Sequence, residues 1–196
     1  MFNKLFGRSS TAPSGPEERL KAIEGSASAE MAAEMLTRPS ALEQLTREEA
    51  RIVVSYMMPH KIAEGVTFIK EGDTKETDFM ILVLDGEVTV ESIVVSRTEP
   101  ITVTVLGRGS LIGEMGLLDG EPRNASCTAV SDLRCAILSR ASLKKLLDDD
   151  PRTAAKFILA ISLRIAERMR DGAEKLKLYS QLTQAMQEEI NSLAPT

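Results

Sequence analysis

The chain is expected to be α+β: an antiparallel β jelly roll preceded by N-terminal helices and followed by a long C-terminal helix. Three observations carry this expectation. From Lys61 onward, short runs rich in Val, Ile, Thr and Phe alternate with glycine-containing turns, the pattern of a barrel or jelly roll. Before them, Glu17 to Leu36 is rich in Ala, Glu and Met, a helix-forming composition. After them, no proline interrupts the chain between Pro151 and Pro195, and apolar residues recur at helical spacing. At 196 residues there is enough chain for one well-buried domain and a surplus. The expected organisation is a tail with short helices over 1–39, a β domain over 40–150, and a long helix over 151–196.

Met1 to Arg8 has a short amphipathic look through Phe2, Leu5 and Phe6, but eight residues are too few for a stable isolated helix or a firm membrane anchor. It reads as a tail, and no membrane contact is expected of it. Ser9 to Pro16 reads as a linker. Two short helices fit Glu17 to Leu36, interrupted by Gly25-Ser-Ala-Ser28. A further helix is expected over Ser40 to Met58, with Thr46 and Glu49 spaced as a capping box and Pro59 stopping it. Strands follow at 66–69, 79–84, 87–90, 101–105 and 134–138. The turns between them are Glu71-Gly-Asp73, Asp85-Gly86 and Gly107-Arg-Gly109, and Asp85-Gly86 between two apolar runs predicts a hairpin. Ser139 opens another helical stretch, with Leu143, Leu146 and Leu147 on one face.

Asp148-Asp-Asp150 before Pro151 places an acidic cap and a proline at the start of the long helix. If it runs to about Leu193, it would reach roughly 60 Å, too long to pack wholly on one small domain. Ala154, Ile158, Ile161, Ile165, Met169, Gly172, Leu176, Tyr179, Thr183, Met186, Ile190 and Leu193 follow a 4-3 rhythm with a 4-4 step near Ile165, a heptad-like seam with a stutter. The seam predicts a parallel homodimer; a hairpin folding back near Gly172 is the alternative. Leu159 and Leu163 lie on a second face that could close against the β domain.

Composition narrows the function. A net charge of −5 argues against a nucleic-acid-binding domain with a broad basic face. Cys127 and Cys135 are the only cysteines, without a signal peptide; both read as reduced core thiols, consistent with a cytoplasmic protein. No apolar run approaches bilayer length. His60 is the only histidine, and no metal-ligand cluster or nucleophile–base arrangement is visible, so neither an enzyme, a metal nor a cofactor is expected.

The most informative stretch runs from Ile112 to Ala129. It holds Glu114, Arg123 and the glycines Gly113, Gly116 and Gly120 between apolar flanks. A phosphate in a partly desolvated pocket needs fixed donors, and a guanidinium offers a planar fork for two of its oxygens. A carboxylate accepts from a sugar hydroxyl and repels phosphate, so acid and arginine would sort the two ends of a nucleotide. Gly116, lacking a Cβ, would let the backbone approach a ligand closely. The plainer alternative is that Glu114 and Arg123 simply pair with each other.

This stretch resembles the phosphate-binding cassette of the cyclic nucleotide-binding domain family. The resemblance extends from about Leu45 to Arg170 through Gly65, Glu71-Gly-Asp73, Phe79-Met-Ile-Leu82, Gly86, Gly107-Arg-Gly109, Gly113-Glu114 and Pro122-Arg123. It implies that Arg123 holds the cyclic phosphate, that Glu114 binds the ribose 2′-hydroxyl, and that Gly113, Met115 and Gly116 supply the backbone around the ring. It also implies contributions from Asn124 and, less directly, Ser126. The implied ligand is a cyclic nucleotide, with cyclic AMP favoured over cyclic GMP.

Two departures qualify the resemblance. Where the catabolite-activator branch reads adenine with hydroxyl side chains, this chain has Arg168 and Met169. Arg168 could stack on a purine or donate to O6 and N7 of guanine, or it could be a solvated helix arginine; Arg164 is a second basic residue facing the expected pocket or seam. Only about 26 residues follow Arg170, too few for the helix-turn-helix domain of the transcription-factor branch, so no DNA binding is expected. The expected function is a cyclic nucleotide sensor acting through its C-terminal helix on an unidentified protein partner. The alternative is a non-catalytic adaptor dimer whose pocket is empty, or takes cyclic GMP or a cyclic dinucleotide.

Overall fold

A computed structural model describes residues 15–37, 45–93 and 100–193. The readings of the N-terminal tail, of most of the linker and of Ser40 to Gln44 lie outside these residues. The chain divides into two compact units, Met1–Ala160 and Ile161–Thr196, a division that falls inside the long helix.

Three helices open the first unit. Helix α1 (Pro16–Ile23) has proline at its first turn and Glu17 and Glu18 beside it, so the chain expected to be linker at Pro16 is already helical. Helix α2 (Ala27–Leu36) starts at Ser26, whose hydroxyl accepts from the Ala29 amide at 3.3 Å. Helix α3 (Arg47–Ser55) begins with the expected capping box: Glu49 N–H donates to Thr46 Oγ1 at 3.2 Å, and Thr46 N–H donates to Glu49 Oε2 at 2.9 Å. α3 packs on both α1 and α2.

The expected helix over Ser40 to Met58 is shorter than the sequence suggested. α3 ends at Ser55, and Met58–Ile62 forms strand β1, with Pro59 inside it. β1 is an edge strand paired only to β8 (Leu133–Ser139), where a missing N–H is tolerated. The remaining strands are β2 (Thr67–Ile69), β3 (Phe79–Asp85), β4 (Val88–Ile93), β5 (Pro100–Leu106), β6 (Leu111–Ile112) and β7 (Ser126–Ala129). They form two antiparallel four-stranded sheets, ordered β1-β8-β3-β6 and β2-β7-β4-β5. This is the predicted jelly roll, closed by side chains that alternate inward from both sheets.

The Asp85-Gly86 hairpin is overturned. β3 pairs with β6 and β8, whereas β4 pairs with β5 and β7, so the turn carries the chain from one sheet to the other. Gly86 is at φ +93°, and a Cβ there would stand 2.6 Å from the Asp132 carbonyl oxygen. The glycine serves a close crossing of two turns, held by Glu87 N–H on Ser131 Oγ at 3.1 Å and Val130 N–H on Glu87 O at 3.0 Å.

The core between the sheets contains Ile62, Phe68, Phe79, Ile81, Val83, Val88, Ile112, Leu133 and Ile137. Cys127 on β7 and Cys135 on β8 join it as buried thiols outside any disulfide, one from each sheet. Burial pushes the Cys135 thiol up to about 12, so it is a packing group, not a nucleophile. On β3, Met80, Leu82 and Leu84 alternate with the core residues and are also buried, facing the layer where α2 packs on β3.

After β8 come α5 (Arg140–Asp149) and α6 (Pro151–Leu193). In α5, Leu143 and Leu146 are buried but Leu147, expected on the same face, is 38% exposed. α6 is one continuous helix without a break at Gly172. Its first turns bury Thr153, Ala154, Phe157 and Ala160. Leu159 and Leu163, expected to close on the β domain, are 48% and 46% exposed. The inward face is set by Phe157, among the largest fully buried side chains, and puts Leu159 on the other side of the helix. Ala154 and Ile161 are buried within the chain, so the exposed part of the seam begins at Met169.

Polar contacts fix α1 and α3 to the α5–α6 junction. Arg19 sits over the Tyr56 ring, 4.7 Å from its centroid, and Tyr56 Oη donates to Asp149 Oδ2 at 2.8 Å. Lys156 of α6 pairs with Glu49 of α3. The Tyr56 hydroxyl, and then Lys145, hold the Asp149 carboxyl below its ordinary 3.8. A folded-state value below the unfolded one gives stability that is present above the unfolded pKa and lost as pH falls through the folded one. Tyr56→Phe is therefore expected to lower the melting temperature by a few degrees at neutral pH, with the gap to wild type closing below about pH 4. Thermal unfolding across a pH series checks it; a gap that persists in acid would assign Tyr56 a packing role alone.

Candidate functional site

The chain leaves β6 at Ile112 and turns directly into a six-residue helix, α4 (Glu114–Asp119), bracketed by Gly113 at φ +82° and Gly120 at φ +77°. The helix packs on β3. Arg123 follows, its backbone clamped to the turn after β2: Arg123 N–H donates to Asp73 O at 3.0 Å, and Gly72 N–H to Arg123 O at 2.7 Å. Cassette and turn thus share one backbone frame, with β7 starting three residues later.

Arg123 is 5% exposed and satisfies its guanidinium on backbone carbonyls. Nε donates to Glu76 O at 3.1 Å, Nη1 to Gly113 O at 2.9 Å and Nη2 to Phe79 O at 2.8 Å. The plane lies over the Phe79 ring, 4.7 Å from its centroid. Burial pushes this guanidinium below its ordinary value, while the carboxylates of Asp78, Asp73 and Glu114 act the other way.

Gly113 and Gly116 owe their identity to this arginine. A Cβ at Gly113 would stand 2.7 Å from Arg123 Nη1, and one at Gly116 would stand 2.9 Å from it. The bare side of Gly116 therefore meets the guanidinium, not open space for a ligand. Any side chain at either position would push Arg123 out of its carbonyl cage.

Glu114 is the first residue of α4 and is 4% exposed. Met115 is 39% exposed, and its sulfur accepts from Asn124 Nδ2 at 3.6 Å. Ser126, at the start of β7, accepts the Glu71 amide on its hydroxyl at 3.0 Å, which ties β2 to β7. Gly113, Glu114, Met115, Gly116, Arg123 and Asn124 thus gather around one short helix, whereas Ser126 bonds to the turn after β2. Arg164 and Arg168 lie on α6 in the second unit.

Sequence reasoning missed two contributors. The carbonyls of Glu76 and Phe79 are backbone atoms and leave no mark in residue type. Arg140, the first residue of α5, donates from Nε to Leu117 O at 2.9 Å and from Nη2 to Gly116 O at 2.6 Å. Its visible signal is a cation at a helix start where the first turn holds no acid.

Among the described residues no group of His, Cys, Asp and Glu is placed to hold a metal ion, and no helix is long and apolar enough to cross a membrane. A family model described as Cyclic nucleotide-binding domain matches residues 59–150. A cyclic nucleotide-binding domain from Methylobacillus flagellatus is similar in structure, with TM-score 0.64 and 30% identity over 71% of this chain and 82% of that one. The cyclic AMP receptor protein of Thermus thermophilus is 30% identical over 136 residues, covering 69% of this chain and 60% of that protein. A CRP-like cAMP-activated global transcriptional regulator of Mycobacterium tuberculosis is 23% identical over 127 residues, so this chain spans about half, 52%, of that regulator's length. With the two-sheet jelly roll and the cassette between β6 and β7, these likenesses establish that the chain belongs to the cyclic nucleotide-binding domain family.

Proposed function

We propose that this protein is a cytoplasmic cyclic nucleotide sensor, with cyclic AMP as the favoured ligand. The observation that carries the reading is the pairing of a buried Arg123 with a buried Glu114 at the two ends of one cassette turn. A guanidinium has five N–H donors, and Arg123 spends three on carbonyls. The other two suit an anionic ring phosphate, while the carboxylate of Glu114 suits the ribose hydroxyl. Cyclic AMP is favoured because the Thermus thermophilus and mycobacterial relatives are described by that ligand. Arg168, at the sequence position where the catabolite-activator branch carries an adenine-reading hydroxyl, keeps cyclic GMP as the alternative ligand.

The output runs through α6. From Met169 to Leu193 the seam residues Met169, Leu176, Tyr179, Met186, Ile190 and Leu193 are each more than half exposed in the single chain. A second copy in parallel register would cover them. Ligand binding would bias the junction at Asp150-Pro151 and so the helix pair, which acts on a protein partner.

One observation favours a second reading. Because Nε, Nη1 and Nη2 of Arg123 each already have a carbonyl, every guanidinium nitrogen has a partner before any ligand binds, as in an adaptor with an empty cassette. Calorimetric titration of nucleotide-free protein with cyclic AMP and cyclic GMP separates the two. Saturable heat with cyclic AMP at micromolar or lower Kd is expected. No heat with either nucleotide would replace the sensor by the adaptor. Mass spectrometry of small molecules released from the purified protein supplies the ligand's base directly.

A further inference from the structure

We propose that Arg140 is a positioning residue that fastens the cassette helix to the start of α5, so that any displacement of the cassette is carried into the α5–α6 segment. The inference rests on the sensor reading for its ligand but on local geometry for its mechanics. A cation at the first position of a helix is opposed by the helix dipole, and α5 offers it no acid in its first turn. Its position is explained by what it reaches. Nη2 and Nε take two successive carbonyls at the end of α4, Gly116 O at 2.6 Å and Leu117 O at 2.9 Å. Gly116 O already accepts the Gly120 amide at 3.0 Å and takes the guanidinium on its second lone pair, while Leu117 O lies in the last turn, where a short helix runs out of amide donors, and a guanidinium is well matched to both.

The neighbours are built around this contact. Gly120 sits at φ +77°, and a Cβ there would meet Arg140 Nη2 at 3.3 Å. The Arg140 amide donates to Asp78 O at 2.7 Å, and Thr77 Oγ1 donates to Gly120 O at 3.4 Å. Segment 76–79 is therefore a shared anchor. Arg123 takes Glu76 O and Phe79 O from it, and Arg140 takes Asp78 O.

Two arginines hold α4 at opposite ends. Arg123 grips Gly113 O at its start, and Arg140 grips Gly116 O and Leu117 O near its finish. An anion that draws Arg123 Nη1 away from Gly113 O releases the first grip and leaves the second. The helix then pivots about the Arg140 end, and α5, which begins with Arg140, receives the motion. Ten residues later the chain reaches Asp150 and the start of α6.

The test uses the full chain with Arg140→Met and Arg140→Lys. Hydrogen exchange of the α4 amides in free protein is read first, because it needs no ligand. Arg140→Met should speed exchange at Leu117 and Gly120, whose amides bond to Gly113 O and Gly116 O, while β3 and β8 amides keep wild-type protection. Calorimetric titration with cyclic AMP should then show affinity weakened about tenfold, the scale of one lost charged hydrogen bond, with Arg140→Lys recovering part of it by reaching one carbonyl. Unchanged α4 exchange in Arg140→Met overturns the proposal whatever the ligand does. Faster α4 exchange with wild-type affinity also overturns it, since the cassette pose would not depend on Arg140. Wild-type protein that binds neither cyclic AMP nor cyclic GMP defeats the sensor reading, and the exchange result still decides the role of Arg140.

Discussion

Arg123→Leu should abolish cyclic nucleotide binding and also destabilise the ligand-free protein. The two effects have separate causes. The stability loss comes from the carbonyls of Glu76, Gly113 and Phe79, each of which loses a charged donor, the Phe79 carbonyl in the most buried setting, while Gly113 O keeps the Leu117 amide at 3.2 Å. A lost charged hydrogen bond costs about 1.5–3 kcal/mol and the contributions are not additive, so a total of about 2–3 kcal/mol is expected, most of it from the buried Phe79 carbonyl. The binding loss comes from removing the only arginine in the cassette, for which at least about a hundredfold loss of affinity is expected. Urea unfolding of nucleotide-free protein reads the first effect. Calorimetric titration at a temperature where the variant stays folded reads the second. Arg123→Lys keeps the charge but reaches fewer carbonyls and loses the flat stack on Phe79, so it should fall between wild type and leucine in stability while remaining a poor binder. An Arg123→Leu protein as stable as wild type would mean that the carbonyl cage contributes nothing. One that still binds cyclic AMP at wild-type affinity would remove Arg123 from the ligand site altogether.

The carbonyl cage of Arg123 marks where the sequence could be read and where it could not. The order of turn glycines, Gly113-Glu114 and Pro122-Arg123 was legible as a family pattern because each is a residue type that the local backbone requires: Gly113 takes φ +82° and Arg123 fills the carbonyl cage beside it. The β runs were legible because their composition and spacing suit strands of a sandwich. The pairing of those strands was not. Asp85-Gly86 encodes a left-handed turn residue, and a left-handed turn serves a crossing between sheets as readily as a hairpin; only the approach of Gly86 to the Asp132 carbonyl distinguishes them. Pro59 gave the same kind of error, reading as a helix stop when it lies in an edge strand. Gly116 was assigned to ligand approach because nothing in its neighbours shows that Arg123 folds against it from beneath. On α6, Leu159 and Leu163 looked like the inward face on spacing alone, and Phe157 took that place because its ring fills the interior. In each case the residue type was read correctly and the partner, remote in sequence, was not.

The exposed seam of α6 leads to the other large expected effect. In a parallel pair, Met169, Leu176, Thr183 and Ile190 occupy one heptad position, and Gly172, Tyr179, Met186 and Leu193 the other. Thr183 is compatible with this seam, since its hydroxyl is already spent on Tyr179 O at 2.8 Å. Leu176 and Ile190 are 71% and 56% exposed in the single chain, so a second copy would bury both on each side. Replacing both by glutamate removes four apolar side chains from the pair, at about 1.5–3 kcal/mol each, and sets each new carboxylate against its own copy. The dimer should weaken by at least about 6 kcal/mol, roughly four orders of magnitude in Kd. Sedimentation velocity should show the double variant as a monomer at concentrations where wild type is a dimer. Leu178, also exposed at 54%, falls between seam positions on the outer side, so Leu178→Glu should leave the dimer intact. Because the substituted residues lie in the second unit, the cassette should keep its ligand affinity in both variants unless binding is coupled to pairing. A wild-type protein that sediments as a monomer would assign the apolar stripe of α6 to a different protein, and equal loss of pairing in Leu178→Glu would show that the contact does not follow the heptad seam.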